Sequence, residues 1–239
     1  MLKKITSSVM AMVVAVGLGI AATAQPAEAR GGRTAGLIGL GVLGAIAQND
    51  IKRILSFHIV SQIGYMVMGL ALFTVAGIGA AIFYVINQIV LKSTLLLTGG
   101  LVEHAAGTGR LRDISGIARR FPLLGWLFLL PALSLAGVPP FSGFVAKLAV
   151  VQAAVDASSW PIVVVALGVS VLTLFSMTKI WGGAFWGDVE LVREPTDPVT
   201  ARYGGTVPML VATVGLVALS LALAVLAGPL VTMCRHAAF

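Results

Sequence analysis

The stretch Ser134–Leu148, SLAGVPPFSGFVAKL, decides how this chain folds, because it sets two prolines and a lysine within a long apolar region. Proline lacks the amide hydrogen that a helix needs and its ring clashes with the preceding turn, so an apolar helix must break at Pro139–Pro140. Gly137 and Gly143 flank the prolines and let the backbone turn there. Lys147 follows on the next helical turns. Free backbone groups and a charge are tolerated at membrane depth only where protein or water satisfies them, so this stretch is a candidate transport site.

The composition of the whole chain is that of an integral membrane protein. Of the 239 residues, 58% are hydrophobic and only 10% are charged, whereas soluble domains carry about 25% charged residues. The apolar residues lie in long blocks, which predicts an all-α fold: a polytopic transmembrane helix bundle of six or seven helices after an N-terminal leader, one of them broken by the proline pair. The blocks are Thr34–Gln48, Ile54–Thr74, Ala80–Val102, Phe121–Val155, Trp160–Gly183 and Val207–Thr232.

The first 29 residues have the pattern of a secretory signal peptide. Two lysines precede the apolar segment Val9–Ala24, and the sequence Ala27-Glu28-Ala29 supplies small residues at a cleavage site. The pattern predicts cleavage after Ala29, and an uncleaved signal anchor is the alternative. Residues 30–48 then form a junction with a short, glycine-rich helix.

Charge and motif content exclude several classes of function. The net charge is +7, but the basic residues lie between apolar blocks and no base-reading motif accompanies them, so nucleic-acid binding is not expected. The single Cys234 excludes an intramolecular disulfide and a cysteine metal cluster. The sequence has no phosphate-binding glycine loop, zinc-protease motif or nucleophile elbow. We expect no metal, no cofactor and no catalytic residues, and therefore no enzyme.

Loop charges predict the orientation of the helices. The basic segments Asn49–Arg53 and Glu103–Arg120 flank a helical hairpin and are expected on one side, the cytoplasm, by the positive-inside rule. If Phe121–Val155 forms two spans, the acidic loop Asp188–Arg202 lies on the opposite face and the C-terminal Arg235-His236 returns to the cytoplasmic side. If that segment crosses the membrane once, the later loops exchange sides.

Lys92 is the clearest ionisable group at membrane depth. It lies twelve residues after Ala80, which at 1.5 Å per residue is about 18 Å into a hydrocarbon core about 30 Å thick. Gln88 lies one turn earlier on the same face and Asn87 is adjacent, so the helix has a polar stripe. A mid-membrane ammonium is expensive, which favours a role in proton transfer over the alternative of a buried salt bridge.

Three further ionisable residues lie in or near the apolar blocks, and for two of them spacing cannot separate the alternatives. Lys147 either lies where water enters a broken helix or extends to the interface from a plain turn between two helices. His58, with Gln62 one turn later, is either a proton relay or a hydrogen-bonded packing residue. Lys179, beside Trp181 near the end of its span, is expected to extend to the membrane interface.

Three segments resemble motifs of one protein family. They are Asn49–Tyr65 (NDIKRILSFHIVSQIGY), Ile86–Ser93 (INQIVLKS) and Ala132–Phe144 (ALSLAGVPPFSGF). Their order and spacing are similar to those of the antiporter-like subunits of respiratory complex I and of Mrp-type multisubunit Na+/H+ antiporters. Their amino-acid sequences most resemble those of the Mrp D type. The resemblance implies that Lys92 and Lys147 belong to a chain of buried ionisable groups at the membrane midplane. It also implies protons and Na+ as transported ions, other membrane subunits as partners, and a multi-pass location in the bacterial cytoplasmic (inner) membrane.

The chain departs from that family in one respect. Family members have about a dozen or more helices in two inverted repeats, and this sequence resembles the second repeat and the C-terminal region after it. Residues 49–188 are therefore predicted to form the antiporter-like repeat and residues 189–239 a loop and a final helix. We expect a truncated or rearranged gene. Two alternatives to an antiporter subunit are a non-transporting assembly module and a proton-translocating subunit of NADH:quinone oxidoreductase, although the Asn87-Gln88 wording argues against the latter.

Overall fold

The computed structural model describes residues 41, 43–188, 202–203 and 205–236. The predicted signal peptide, most of the junction and most of the acidic loop lie outside these residues. Residues 43–47 are helical. The next elements along the chain are α1 (Ile51–Ala71), α2 (Val75–Ala106), α3 (Ile117–Arg120), α4 (Pro122–Ala136), α5 (Ser142–Asp156), α6 (Trp160–Ile180), a π-helical turn (Trp181–Phe185), α7 (Val207–Val225) and α8 (Ala227–His236).

Within the described residues, four helical segments are long and apolar enough to cross a membrane. They are α1, α2, α7 and the continuous run of α6 and the π-helical turn, with 19 to 32 residues each. The 32-residue α2 lies at the centre, because it packs against α1, α4, α5, α7 and α8. The prediction of an all-α, polytopic membrane bundle is confirmed.

Short-range sequence signals set the ends of α1 and α2. The Asp50 carboxylate accepts a hydrogen bond from the Arg53 backbone N–H at 3.1 Å, and the Thr74 hydroxyl accepts one from Gly77 N–H at 3.0 Å. Both are N-caps, which satisfy amides that have no partner within the helix. Helix α2 ends at Gly107, whose φ of +82° is left-handed and favours glycine.

The two basic segments lie together at one end of the bundle, which we call the basic end. The Ile51 backbone N–H donates to the Gly109 carbonyl at 3.0 Å, which joins the turn before α1 to the loop after α2. Lys52 forms an ion pair with Glu103 in the last turns of α2. These contacts confirm that the two segments share a side.

The segment Phe121–Val155 crosses the bundle once. Asp188, which follows the π-helical turn, forms an ion pair with Arg119 of α3 at 3.0 Å, and its carbonyl accepts a hydrogen bond from Ser115. Helix α6 therefore returns to the basic end, and the alternative of a single broken crossing through α4 and α5 is the one observed. The expectation that the loop after α6 begins on the opposite face is wrong, because apolar length alone does not separate a helical hairpin from one broken helix.

The C-terminal region also differs from the prediction. Helix α7 begins at the basic end, where the Met209 methyl group lies beside Gly100. The predicted single span to Thr232 is instead two helices, because α7 ends at Val225 and α8 begins at Ala227. The backbone of Arg235 packs on Gly79, near the start of α2. The C-terminal basic residues thus lie at the end opposite the basic end, and the prediction that they share a side with the basic loops is wrong.

Candidate functional site

A layer of buried polar side chains divides the bundle into two apolar halves. One apolar cluster, which includes Ile54, Leu95 and Phe128, occupies the half at the basic end, and a second, which includes Tyr84 and Ala166, occupies the other half. In α1 and α6 the buried polar residues fall between the segments that contribute to the two clusters. In α2, Asn87 and Gln88 fall between those segments and Lys92 lies at the border of the first cluster, and in the α4–α5 crossing the polar residues flank the break. This polar layer consists of His58, Ser61, Gln62, Asn87, Gln88, Lys92, Ser134, Ser142, Lys147, Thr173 and Ser176.

One serine, Ser134 of α4, links the two halves of the broken helix by hydrogen bonds. The Gly143 backbone N–H, at the start of α5, donates to the Ser134 hydroxyl of α4 at 3.1 Å, and the Ser134 and Ser142 hydroxyls lie 3.2 Å apart. The α-carbon of Gly143 faces the Ser134 carbonyl so closely that an added Cβ would lie 1.8 Å from its oxygen. Ser134 therefore satisfies the free amide of the second half-helix, and Gly143 permits the approach.

Lys147 occupies the carboxyl end of the first half-helix. Its ammonium Nζ donates to the Ala136 carbonyl at 2.9 Å, in the last turn of α4. The carboxyl end of a helix carries partial negative charge and free carbonyls, which favour a cation. Gly137 has a φ of +87°, and a Cβ there would lie 2.9 Å from Lys147 Cδ. The lysine is buried against the break of a single crossing and does not extend from an interfacial turn.

Lys92 lies in the middle of α2, seventeen residues after the first residue of the helix and fourteen before its last. These separations correspond to about 25 Å and about 21 Å of helix. The side chain is buried, and its Nζ has no hydrogen-bond partner among the described residues. No carboxylate within those residues forms the salt bridge that was the alternative for this lysine.

Lys92 Nζ is one of seven buried polar atoms without a partner in the described part of the chain. Native proteins leave few such atoms, and those that occur usually bind ordered water or an ion. The seven belong to α1 and α2, which pack against each other. They are His58 Nδ1, Ser61 Oγ, Gln62 Nε2, Asn87 Nδ2, Asn87 Oδ1, Gln88 Oε1 and Lys92 Nζ. Donors and acceptors are both present among the seven atoms, as the binding of ordered water requires.

The remaining polar contacts connect this group to its neighbours. Gln62 Oε1 accepts hydrogen bonds from the Tyr84 hydroxyl and from Gln88 Nε2, the latter at 3.4 Å. His58 Nε2 lies 2.8 Å from the Ser176 hydroxyl of α6. The His58 Nδ1 is one of the seven unpartnered atoms. Of the predicted polar residues, Gln62 of α1 and Gln88 of α2 are brought into contact.

Lys92, Lys147 and His58 are all buried in the polar layer. No set of three His, Cys, Asp or Glu residues in the described part of the chain is placed to hold a metal ion.

Sequence reasoning missed several residues in or beside the polar layer. Tyr65 and Tyr84 are fully buried, and their rings stack with centroids 5.3 Å apart. The spacing of Tyr65 from Gln62 and of Tyr84 from Gln88, three and four residues, places each on the polar face of its helix, and this signal was available. Ser134 and Ser176 had no such signal, because their partners lie on other helices.

Lys179, which was predicted to extend to the membrane interface, has two hydrogen-bond partners near the basic end. Its Nζ donates to the carbonyls of Ile46 and Gln48, at 2.7 Å and 2.6 Å. These carbonyls lie in the last turn of the helical segment 43–47 and just after it, so they have no amide partner within the segment. The lysine fixes that segment to α6 by a contact that spans 133 residues, which no local pattern reveals.

Known proteins resemble this chain in sequence and in structure. Residues 34–173 match the family described as NADH:quinone oxidoreductase/Mrp antiporter, TM. The D subunit of the Na+/H+ antiporter of Alkalihalophilus pseudofirmus is 43% identical over 190 residues, which is 80% of this chain and 37% of that protein. The Mrp complex of Dietzia sp. contains a chain with a TM-score of 0.78 and 34% identity, covering 86% of this chain and 45% of that one. Respiratory complex I of Thermus thermophilus, with bound aureothin, contains one with a TM-score of 0.65 and 29% identity, covering 88% and 46%.

This chain thus spans less than half the length of the relatives it matches. The family match covers more than half of the chain and includes α1, α2, the α4–α5 crossing and most of α6. The proline break and every residue of the polar layer except Ser176 lie within it. The chain belongs to the transmembrane family of NADH:quinone oxidoreductase and Mrp antiporter subunits.

Proposed function

We propose that this chain is a membrane subunit of a multisubunit Na+/H+ antiporter and that Lys92 and Lys147 carry protons within the polar layer. It would act with other membrane subunits in the bacterial cytoplasmic membrane, as a transporter and not as an enzyme. The observation that carries the proposal is the group of unpartnered buried polar atoms beside Lys92 in the centre of the bundle. A chain that only filled a membrane would place apolar side chains there, because each such atom costs free energy in hydrocarbon.

Electrostatic repulsion between the two lysines would couple their protonation. Water between α1 and α2 would satisfy the unpartnered atoms and bring protons to Lys92. Two like charges repel by about 4 kcal/mol at 4 Å and about half that at twice the distance, for an effective dielectric near 20. A proton that arrives at Lys92 therefore favours a neutral Lys147, and release at one lysine favours loading of the other.

The test is ion flux in proteoliposomes that contain the chain together with the membrane subunits that co-purify with it. The variants are Lys92→Met and Lys147→Met, which keep the length of the side chain and remove its charge. We expect Na+-dependent proton flux to fall about tenfold or more in each, as when a proton-transfer group is lost. The matched control is Lys52→Met, which removes an exposed lysine at the basic end and is expected to retain the flux.

Other outcomes identify the alternatives. Flux that persists in both buried-lysine variants would contradict their role. A silent wild-type assembly at every pH and Na+ concentration would indicate an assembly module without transport. Proton flux that requires NADH and quinone, and not Na+, would indicate a subunit of NADH:quinone oxidoreductase.

A further inference from the structure

Tyr65 is a buried side chain next to Lys147 that the proposed proton pathway does not use. Lys147 Nζ lies 5.6 Å from the centroid of the Tyr65 ring. The Ala136 carbonyl is its hydrogen-bond partner within the described residues. The negative face of an aromatic ring attracts a cation, and the attraction is stronger where water is excluded. The ammonium thus has a carbonyl and a ring face as its two favourable contacts.

The Tyr65 ring is held in place from two sides. Its hydroxyl donates to the Ala166 carbonyl of α6 and lies 3.0 Å from the Ser170 hydroxyl. The ring also stacks on the Tyr84 ring, at an interplanar angle of 10°. An anchored ring presents its face in a fixed direction, as a positioning group requires.

The tyrosine pair also contacts the amide side chains that lie near Lys92. The Tyr84 hydroxyl donates to Gln62 Oε1, which Gln88 also contacts. Lys92 follows Gln88 by one helical turn on the same face of α2. The stacked tyrosines thus lie between Lys147 and the amide side chains one turn from Lys92.

We propose that Tyr65 is a positioning residue for Lys147: its ring face holds the ammonium at the carboxyl end of α4 and so sets the pH at which this lysine loads a proton. The inference rests on the proposed function, and it identifies Tyr65 as the group that adjusts proton loading at Lys147. The helices packed against α5 are α1, α2, α4, α6, α7 and α8. Helices α4 and α7 contain no ionisable residue. In the other four helices, five ionisable residues lie in the polar layer or in the second apolar cluster: His58, Tyr65, Tyr84, Lys92 and Cys234.

The experiment changes the electrostatics of the ring and keeps its shape. The chain, with its co-purifying subunits, is prepared with Tyr65→Phe and with phenylalanine analogues that carry one, three or five fluorine atoms at position 65. Fluorine withdraws charge from the ring face, so the cation contact weakens stepwise while packing is conserved. The readout is the pH at which flux is half-maximal, with the melting temperature of each variant as the folding control.

We expect the Tyr65→Phe protein to retain flux and the midpoint to move to lower pH as fluorine is added, by about half to one pH unit across the series. The shift should be absent in a Lys147→Met background, measured on the flux that remains or on the pH dependence of the melting temperature. A midpoint that does not change across the series would overturn the inference. A silent Tyr65→Phe protein that melts as the wild type would also overturn it, because the hydroxyl would then be the essential group. A silent wild type would instead refute the proposed function, so the two failures are distinguishable.

Discussion

Replacing Gly137 by alanine should disturb Lys147 and the broken helix together. Gly137 has a φ of +87°, and its Cβ would lie 2.9 Å from Lys147 Cδ and 3.4 Å from Nζ. A left-handed backbone costs a residue with a side chain about 1–2 kcal/mol. The contact with Cδ must also be relieved, and a shift of the lysine weakens the charged hydrogen bond to Ala136, which is worth about 1.5–3 kcal/mol. The expected loss of stability is about 2.5–5 kcal/mol.

The assay is reversible unfolding in mixed detergent micelles, with flux as the second readout. The matched control is Gly168→Ala, at an exposed position of α6 where an added Cβ meets no atom within 4 Å. That change should stabilise the protein by about 0.5–1 kcal/mol, because alanine favours a helix over glycine.

A double substitution separates the two causes. In a Lys147→Ala background the obstruction and the hydrogen bond are both gone, so Gly137→Ala should cost only the backbone part, about 1–2 kcal/mol. The coupling between positions 137 and 147 is then about 1.5–3 kcal/mol. If the two effects simply add, or if Gly137→Ala is as stable as the control, the packing of the lysine across the break is refuted.

Three further changes test other contacts. Gly143→Ala should prevent folding of the break or cost several kcal/mol, because the Cβ would meet the Ser134 carbonyl oxygen at 1.8 Å; wild-type stability in the same unfolding assay would contradict the close approach. Lys179→Met should cost about 1–3 kcal/mol and speed proteolysis before α1, because two carbonyls lose a charged donor; an unaltered digestion pattern would argue against the contact. Lys52→Ala should change stability by less than about 1 kcal/mol, because its ion pair with Glu103 is half-exposed; a larger loss in denaturant titrations would show that this pair is more than a surface contact.

Local sequence was sufficient for the class of fold and for much of the site. Hydropathy predicts membrane helices because every spanning segment must satisfy its backbone internally and present apolar side chains to lipid. The break at Pro139–Pro140 follows from a missing amide hydrogen, and the depth of Lys92 follows from the rise per residue of a helix. The stripe formed by Lys92 with Asn87 and Gln88 follows from helical periodicity alone.

Only the tertiary structure decided where the polar groups find their partners. The contacts of His58 with Ser176 and of Tyr65 with Ser170 join residues more than a hundred positions apart. The single crossing of α4 and α5, and with it the side of every later loop, depends on the return of α6 to the basic end.

The physical reason lies in the range of the forces. Propensity, capping and apolar length act within a few turns of one helix, so they can be read along the sequence. A buried ammonium or hydroxyl is satisfied by whichever carbonyl or ring the packing of other helices brings to it. For Lys147 those partners are the end of α4 and the face of Tyr65, and both are set by how the bundle closes around the proline break.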